Sequence, residues 1–136
     1  MNAAILGYGT VGGGVYEILK DRPDISVKYV LDKAPVAELG DVSVTDFSVI
    51  LNDAEVDTVV EVMGGLEPAY EYITAAMRAG KNIVTANKQL LAARYDELTA
   101  LARETGVGFR SSAAVGGGIP WLPNLQRLKR LGTVNE

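Results

Sequence analysis

The feature that most constrains this sequence is a glycine turn set between a strand and a helix. Ala3 to Leu6 is an apolar run that stops at Gly7, and the chain continues Gly7-Tyr8-Gly9-Thr10-Val11-Gly12. Val11, Val15, Ile18 and Leu19 then recur at helical spacing. A glycine fingerprint alone is weak, but one that directly follows a buried strand and opens a helix is specific. Gly7 permits the tight bend, Gly9 lets backbone approach an anion closely, and Gly12 lets helix and strand pack. The first N–H groups of the helix bring a partial positive charge to the same place. The pattern reads as the phosphate-binding turn of a dinucleotide site, against the plainer alternative of a tight strand–helix turn that binds nothing.

Asp32 lies 20 residues past Gly12, at the end of the next β-rich run, Ser26 to Leu31. An acidic residue there accepts hydrogen bonds from the adenosine ribose 2′-hydroxyl; the competing reading is a solvated turn aspartate. The adjacent Lys33 suits a 2′-phosphate or simple exposure, so NAD and NADP both remain open.

Strand and helix alternate along the rest of the chain. A weak strand is expected at Val42 to Thr45, and Asp46 is placed to cap a short helix through Leu51. A stronger strand runs from Thr58 to Met63. Glu67-Pro68 opens the next helix with proline at its first position, and Gly80 ends it. Asn82 to Thr85 is a strand. Asn87 caps a short helix from Lys88, a separate helix spans Tyr95 to Glu104, and Val107 to Phe109 is a last strand. Gly116 to Gly118 makes a turn before a helical pattern from Pro120 to about Arg130. Repeated strand–helix–strand units with short connections predict an α/β fold of Rossmann type, a doubly wound parallel sheet with helices on both faces, forming one domain over residues 1–136.

Composition removes several classes of chemistry. The 136 residues are 48 % hydrophobic, enough for a packed core. The formal net charge of −4 argues against nucleic acid, which demands a basic face. With no cysteine there is neither disulfide framework nor thiolate metal site. With no histidine there is no His general base or His-ligated metal, so proton chemistry falls to Lys, Tyr or carboxylates. No signal peptide or membrane-spanning apolar run is evident, which makes a cytoplasmic protein the expectation.

Two further loops fall at the carboxyl ends of strands, where ligands of such sheets collect. Met63-Gly64-Gly65 edges the ribose or nicotinamide side, or simply turns the chain and caps a helix. Thr85-Ala86-Asn87-Lys88 places a lysine at the same edge. Lys88 either holds a substrate oxygen and assists proton transfer, or snorkels from a helix start. A cation opposes the dipole at a helix N-terminus, which favours the functional reading. The three glycines after Ala113 expose backbone that can offer carbonyl oxygens to a hard cation, or act as a hinge.

With these loops in place the chain resembles homoserine dehydrogenases. The matches are ILGYGTVGGGV at Ile5 to Val15, EVDTVVEVMGG at Glu55 to Gly65, AGKNIVTANKQLLA at Ala79 to Ala92, and AVGGGIP at Ala114 to Pro120. The resemblance implies NAD(P)-dependent interconversion of L-homoserine and L-aspartate 4-semialdehyde, on the way to threonine, methionine and isoleucine. It implies that Gly7, Tyr8, Gly9, Thr10, Val11 and Gly12 bind the pyrophosphate and that Asp32 and Lys33 face the adenosine ribose. Met63, Gly64 and Thr85 would border the nicotinamide half, and Lys88 would be the catalytic lysine touching substrate and cofactor. Val115, Gly117 and Ile119 would give backbone oxygens to a monovalent cation such as sodium. The family has Glu-Ala-Ser-Val before those glycines; here Ser112-Ala113-Ala114-Val115 puts a hydroxyl, a poorer hard-cation ligand, in the carboxylate's place. The family's substrate-binding and dimerisation region, with a further aspartate and lysine, would lie past Glu136. The expectation is therefore a cofactor domain that binds NAD(P) and turns over homoserine negligibly by itself, within a whole enzyme that is a homodimer or larger. The competing readings are a non-catalytic dinucleotide-binding module and the cofactor domain of a related enzyme such as an aspartate dehydrogenase.

Overall fold

The structure, a computed structural model, describes residues 1–111. Six parallel strands form one sheet. They are β1 (Asn2–Leu6), β2 (Ser26–Leu31), β3 (Ser43–Val44), β4 (Thr58–Glu61), β5 (Asn82–Thr85) and β6 (Phe109–Arg110). Their order across the sheet is β3-β2-β1-β4-β5-β6. The helices are α1 (Thr10–Leu19), α2 (Phe47–Asn52), α3 (Ala69–Arg78) and α4 (Lys88–Thr105), with a 3-10 helix at Ala37–Val42. The chain runs outward from β1 to β3, then restarts at β4 on the other side of β1. That reversal opens a crevice beyond the carboxyl ends of β1 and β4.

Alternation along each strand sorts the core into two layers, as a period of two requires. Ala4 and Leu6 of β1 and Val59 of β4 bury against Ile50 of α2, Ile73 and Met77 of α3 and Leu90 and Leu98 of α4. Ile5 and Val30 face the other way, against Leu39, with Val15 and Tyr16 of α1 packed on them. Helices thus cover both faces, as expected from the sequence.

Four local expectations are corrected. Residues 88–105 form one helix of 18 residues, where two were expected. The segment holds no glycine or proline, and Leu91, Leu98 and Ala102 stay on one buried face throughout. Asn87 does cap it, its side chain accepting the Leu90 N–H, and Gly106 closes it in the left-handed region at φ 74°. Pro68 is the N-cap of α3, one residue before the first helical position. β4 ends at Glu61 instead of Met63, because the Met63 N–H leaves the ladder and donates to the Glu61 carboxylate at 2.8 Å. The last strand begins at Phe109, two residues later than expected.

The amino edge of the sheet is held by a polar cluster. Asp53 accepts from Lys28 Nζ at 2.7 Å, from the Tyr29 hydroxyl at 2.8 Å and from the Glu55 N–H at 2.9 Å. Lys81 is buried nearby, donating to the Asp53 and Val56 carbonyls. The lysine 28 hydrogen bond, then the Glu55 N–H and the Tyr29 hydroxyl, hold the Asp53 carboxyl down at about 2, from an ordinary 3.8. A depressed folded-state value means a contribution present above the unfolded value and lost as pH falls toward the folded one. Asp53→Asn is therefore expected to be less stable at neutral pH, with the difference from wild type shrinking between pH 3.8 and about 2. Urea midpoints measured across that range check it; a constant difference at every pH would contradict it.

Candidate functional site

The carboxyl edge gathers four loops into one place. Gly7 N–H donates to the Leu31 carbonyl at 2.8 Å, Val62 N–H to Leu6 at 2.9 Å, and Ala86 N–H to Glu61 at 3.1 Å. The ends of β1, β2, β4 and β5 are thereby stitched in register, with Leu6 beside both Leu31 and Glu61, and Glu61 beside Thr85.

The glycine turn has the geometry its sequence implies. Gly7 sits at φ +101°, a conformation L side chains rarely adopt. A Cβ on Gly12 would lie 1.9 Å from the Gly7 carbonyl oxygen, so only glycine lets α1 come this close to β1. A Cβ on Gly9 would meet nothing within 4 Å. Gly9 is also the N-cap of α1 and offers no capping side chain. The N–H groups of the first turn, Thr10, Val11 and Gly12, are therefore left for an outside acceptor. The Tyr8 N–H is already committed: it donates to Asp32 Oδ2 at 2.7 Å.

Two cavities meet beside this turn. The first, about 390 Å³, is lined by Gly7, Tyr8, Gly9, Asp32 and Lys33, together with Thr45 and Pro68 from the connections after β3 and β4 and Tyr72 of α3. The second, about 310 Å³, takes Val11 from α1, Gly64 and Gly65 from the loop after β4, and Asn87, Lys88 and Gln89 from the start of α4. Val62 and Met63 belong to both. An elongated, two-lobed ligand with a central anion fits this arrangement: one lobe by Asp32, one by Lys88, and the anion before the α1 N-terminus.

Most of the residues singled out from the sequence are thus brought together, in different capacities. Asp32 lines the first cavity while also pinning the loop, since its two carboxylate oxygens accept the Tyr8 and Lys33 N–H groups. Lys88 is exposed and lines the second cavity. Thr10 is exposed and lines neither cavity. Thr85 is fully buried with its hydroxyl donating to Glu61 Oε2 at 2.6 Å, so it acts from behind the wall. Val115, Gly117 and Ile119, and the cation they would hold, lie outside the described residues.

Several participants were not found from the sequence, Thr45 and Val62 among them. Pro68 and Tyr72 line the first cavity, Tyr72 stacking on Phe47 with ring centroids 4.2 Å apart. Glu61 is the more telling omission. It is fully buried, and its carboxylate accepts the Thr85 hydroxyl, the Met63 N–H and, at 3.4 Å, the Asn87 amide. The signal was present, because a carboxylate ending an apolar strand run, Thr58-Val59-Val60-Glu61, is a charge with nowhere solvated to go.

Residues 7–111 match the family model described as "Homoserine dehydrogenase, NAD binding domain". The chain belongs to the homoserine dehydrogenase family. Homoserine dehydrogenase of Synechocystis is 42 % identical over 135 residues, 90 % of this chain and 31 % of its own length. That of Bacillus subtilis is 36 % identical, covering 99 % of this chain and 36 % of its own. The crystal structure of the Thiobacillus denitrificans homoserine dehydrogenase superposes with a TM-score of 0.83 at 35 % identity, over 93 % of this chain and 32 % of that one. The chain therefore spans about a third of the length of these homoserine dehydrogenases. No helix among the described residues is long and apolar enough to cross a membrane.

Proposed function

We propose that this chain binds NAD(P) across the two cavities and supplies the cofactor side of a homoserine dehydrogenase, interconverting L-homoserine and L-aspartate 4-semialdehyde. The observation that carries this reading is the uncapped N-terminus of α1 standing where the two cavities meet. The first-turn N–H groups of α1 hold the pyrophosphate, and Gly9 leaves room for it. Asp32 accepts a ribose hydroxyl with the lone pairs its two backbone partners leave unused. Val62, Met63 and Gly64 floor the nicotinamide half. The dinucleotide, when bound, supplies the hydride acceptor or donor. Lys88 faces the substrate oxygen from the second cavity and shares in its proton transfer. Substrate positioning and dimer contacts belong to the part of the enzyme that the relatives have beyond this length, and a cytoplasmic homodimer or larger assembly is the setting proposed.

Isothermal titration of the 136-residue chain with NAD and with NADP tests the binding half of the proposal. Saturable one-to-one binding of at least one of them is expected; heat of neither would remove the reading. Homoserine-dependent reduction of the cofactor by this chain is expected to be negligible, because positioning supplies roughly 7–11 kcal/mol of the barrier reduction in well-oriented reactions. A Lys88→Met variant of the chain is expected to bind the cofactor within about threefold of wild type, as Lys88 stands at the substrate end, while the same change in the complete enzyme is expected to cut kcat by about a hundredfold or more. A complete enzyme that keeps its kcat with Lys88→Met would remove Lys88 from the chemistry.

A further inference from the structure

Among the described residues, the buried Glu61 carboxylate has no cationic partner. No lysine or arginine among the described residues forms an ion pair with it, although it is fully removed from solvent. Among the described residues, each hydrogen bond to its carboxylate comes from a neutral donor. The Thr85 Oγ1 accepts the Asn87 N–H at 3.1 Å, which leaves its own proton for Glu61 Oε2 at 2.6 Å. On the other oxygen are the Met63 N–H at 2.8 Å and the Asn87 Nδ2 at 3.4 Å. Dipoles of this kind make a buried carboxylate tolerable, but they do not cancel its charge.

Two of those donors, Met63 and Asn87, are themselves wall residues of the second cavity. The carboxylate therefore lies one residue behind that wall, on the side where the proposed reading puts the nicotinamide ring. Asn87 also donates to the Gly65 carbonyl at 2.6 Å and caps α4 through its Oδ1 at 3.0 Å. The charge is thus fixed to both loops that shape the cavity. Lys88 lines the same cavity, but it is exposed and its charge is screened by water.

We propose that Glu61 sets the preference of this site for the oxidised over the reduced nicotinamide, acting as a buried negative charge behind the ring. The proposal rests on the cofactor reading given above. The oxidised ring carries a positive charge that the reduced ring lacks, and a carboxylate in a weakly screened interior attracts only the former. The remainder of the dinucleotide is common to both forms. Glu61 accordingly acts on the ratio of the two affinities, whereas a purely structural hub would act on both alike.

Titration calorimetry of the whole chain with ADP-ribose, NAD⁺ and NADH separates these cases. Glu61→Gln is expected to retain most ADP-ribose affinity and to lower the NAD⁺:NADH affinity ratio about tenfold, equivalent to about 1.4 kcal/mol. Equal weakening toward NAD⁺ and NADH, with the ratio kept, overturns the proposal and leaves Glu61 as a structural hub. NADP⁺ and NADPH replace NAD⁺ and NADH should the chain bind only that pair, and wild-type chain that binds neither pair overturns the cofactor reading together with it. Should Glu61→Gln fail to fold by circular dichroism, the double variant Glu61→Leu with Thr85→Val carries the test, because it removes the carboxylate and its hydroxyl donor together. The same fall in the ratio is expected, and an unchanged ratio overturns the proposal.

Discussion

Gly12→Ala is expected to unfold the amino-terminal part of the protein more severely than most single substitutions on its surface or in its core. The added Cβ would sit 1.9 Å from the Gly7 carbonyl oxygen and 2.8 Å from its carbon, with Val62 Cγ2 at 3.3 Å. The first two are backbone, and Gly7 is pinned by its hydrogen bond to Leu31. No rotamer change can relieve the overlap, so α1 must move off the sheet. The layer of Ile5, Val30 and Leu39 that Val15 and Tyr16 cover would open with it. Overpacking of this kind costs about 3 kcal/mol or more when the neighbours cannot yield. Against a total stability of about 5–15 kcal/mol that is a large share, worth roughly 10 °C in Tm. Thermal and urea unfolding followed by circular dichroism check it, and a variant within about 2 °C of wild type would show that α1 is free to retreat.

Gly9→Val, three residues away, is expected to do the reverse: leave the fold intact and abolish cofactor binding. A Cβ at Gly9 meets nothing within 4 Å, and its φ of −83° and ψ of −157° are open to a branched residue. The space it would fill is the space before the first-turn N–H groups of α1, on the wall of the first cavity. A valine there holds the pyrophosphate away from those donors. The expected loss is about a hundredfold or more in NAD(P) affinity, about 2.7 kcal/mol, with an unfolding midpoint close to wild type. Equal affinity in the variant would remove the phosphate-turn reading. The pair of substitutions is informative together, since the same residue type serves packing at one position and ligand access at the other.

Much of the site was legible because its residues are consecutive. The glycine turn, the Met63-Gly64-Gly65 loop and the Thr85 to Lys88 loop each follow a strand, and a parallel sheet must bring the carboxyl ends of its strands to one edge. Asp46 and Asn87 were legible as caps, because capping needs only a short side chain and the next two or three N–H groups. The residues that escaped notice depend on contacts between distant parts of the chain. Tyr72 and Pro68 line the first cavity only because α3 packs where it does. The same is true of the division between Thr85, buried, and Lys88, exposed: three residues apart in sequence, they lie on opposite sides of the cavity wall.

The sequence by itself determined the order of strands and helices, the glycine turn and the family. Local spacing and glycine placement encode those directly. It also determined that no histidine or cysteine of this chain could serve, which left lysine, tyrosine and the carboxylates to carry any proton chemistry here. Only the tertiary structure decided what the carboxylates do. Asp32 is both a wall of the first cavity and the bolt of the Tyr8 N–H, and Glu61 is a buried carboxyl group behind the second. The physical reason is that a carboxylate's role is set by what surrounds it. Its donors, its burial and the absence of an ion-pair partner among the described residues come from β1, β2, β4 and β5 meeting at one edge, and no window of the sequence contains that meeting.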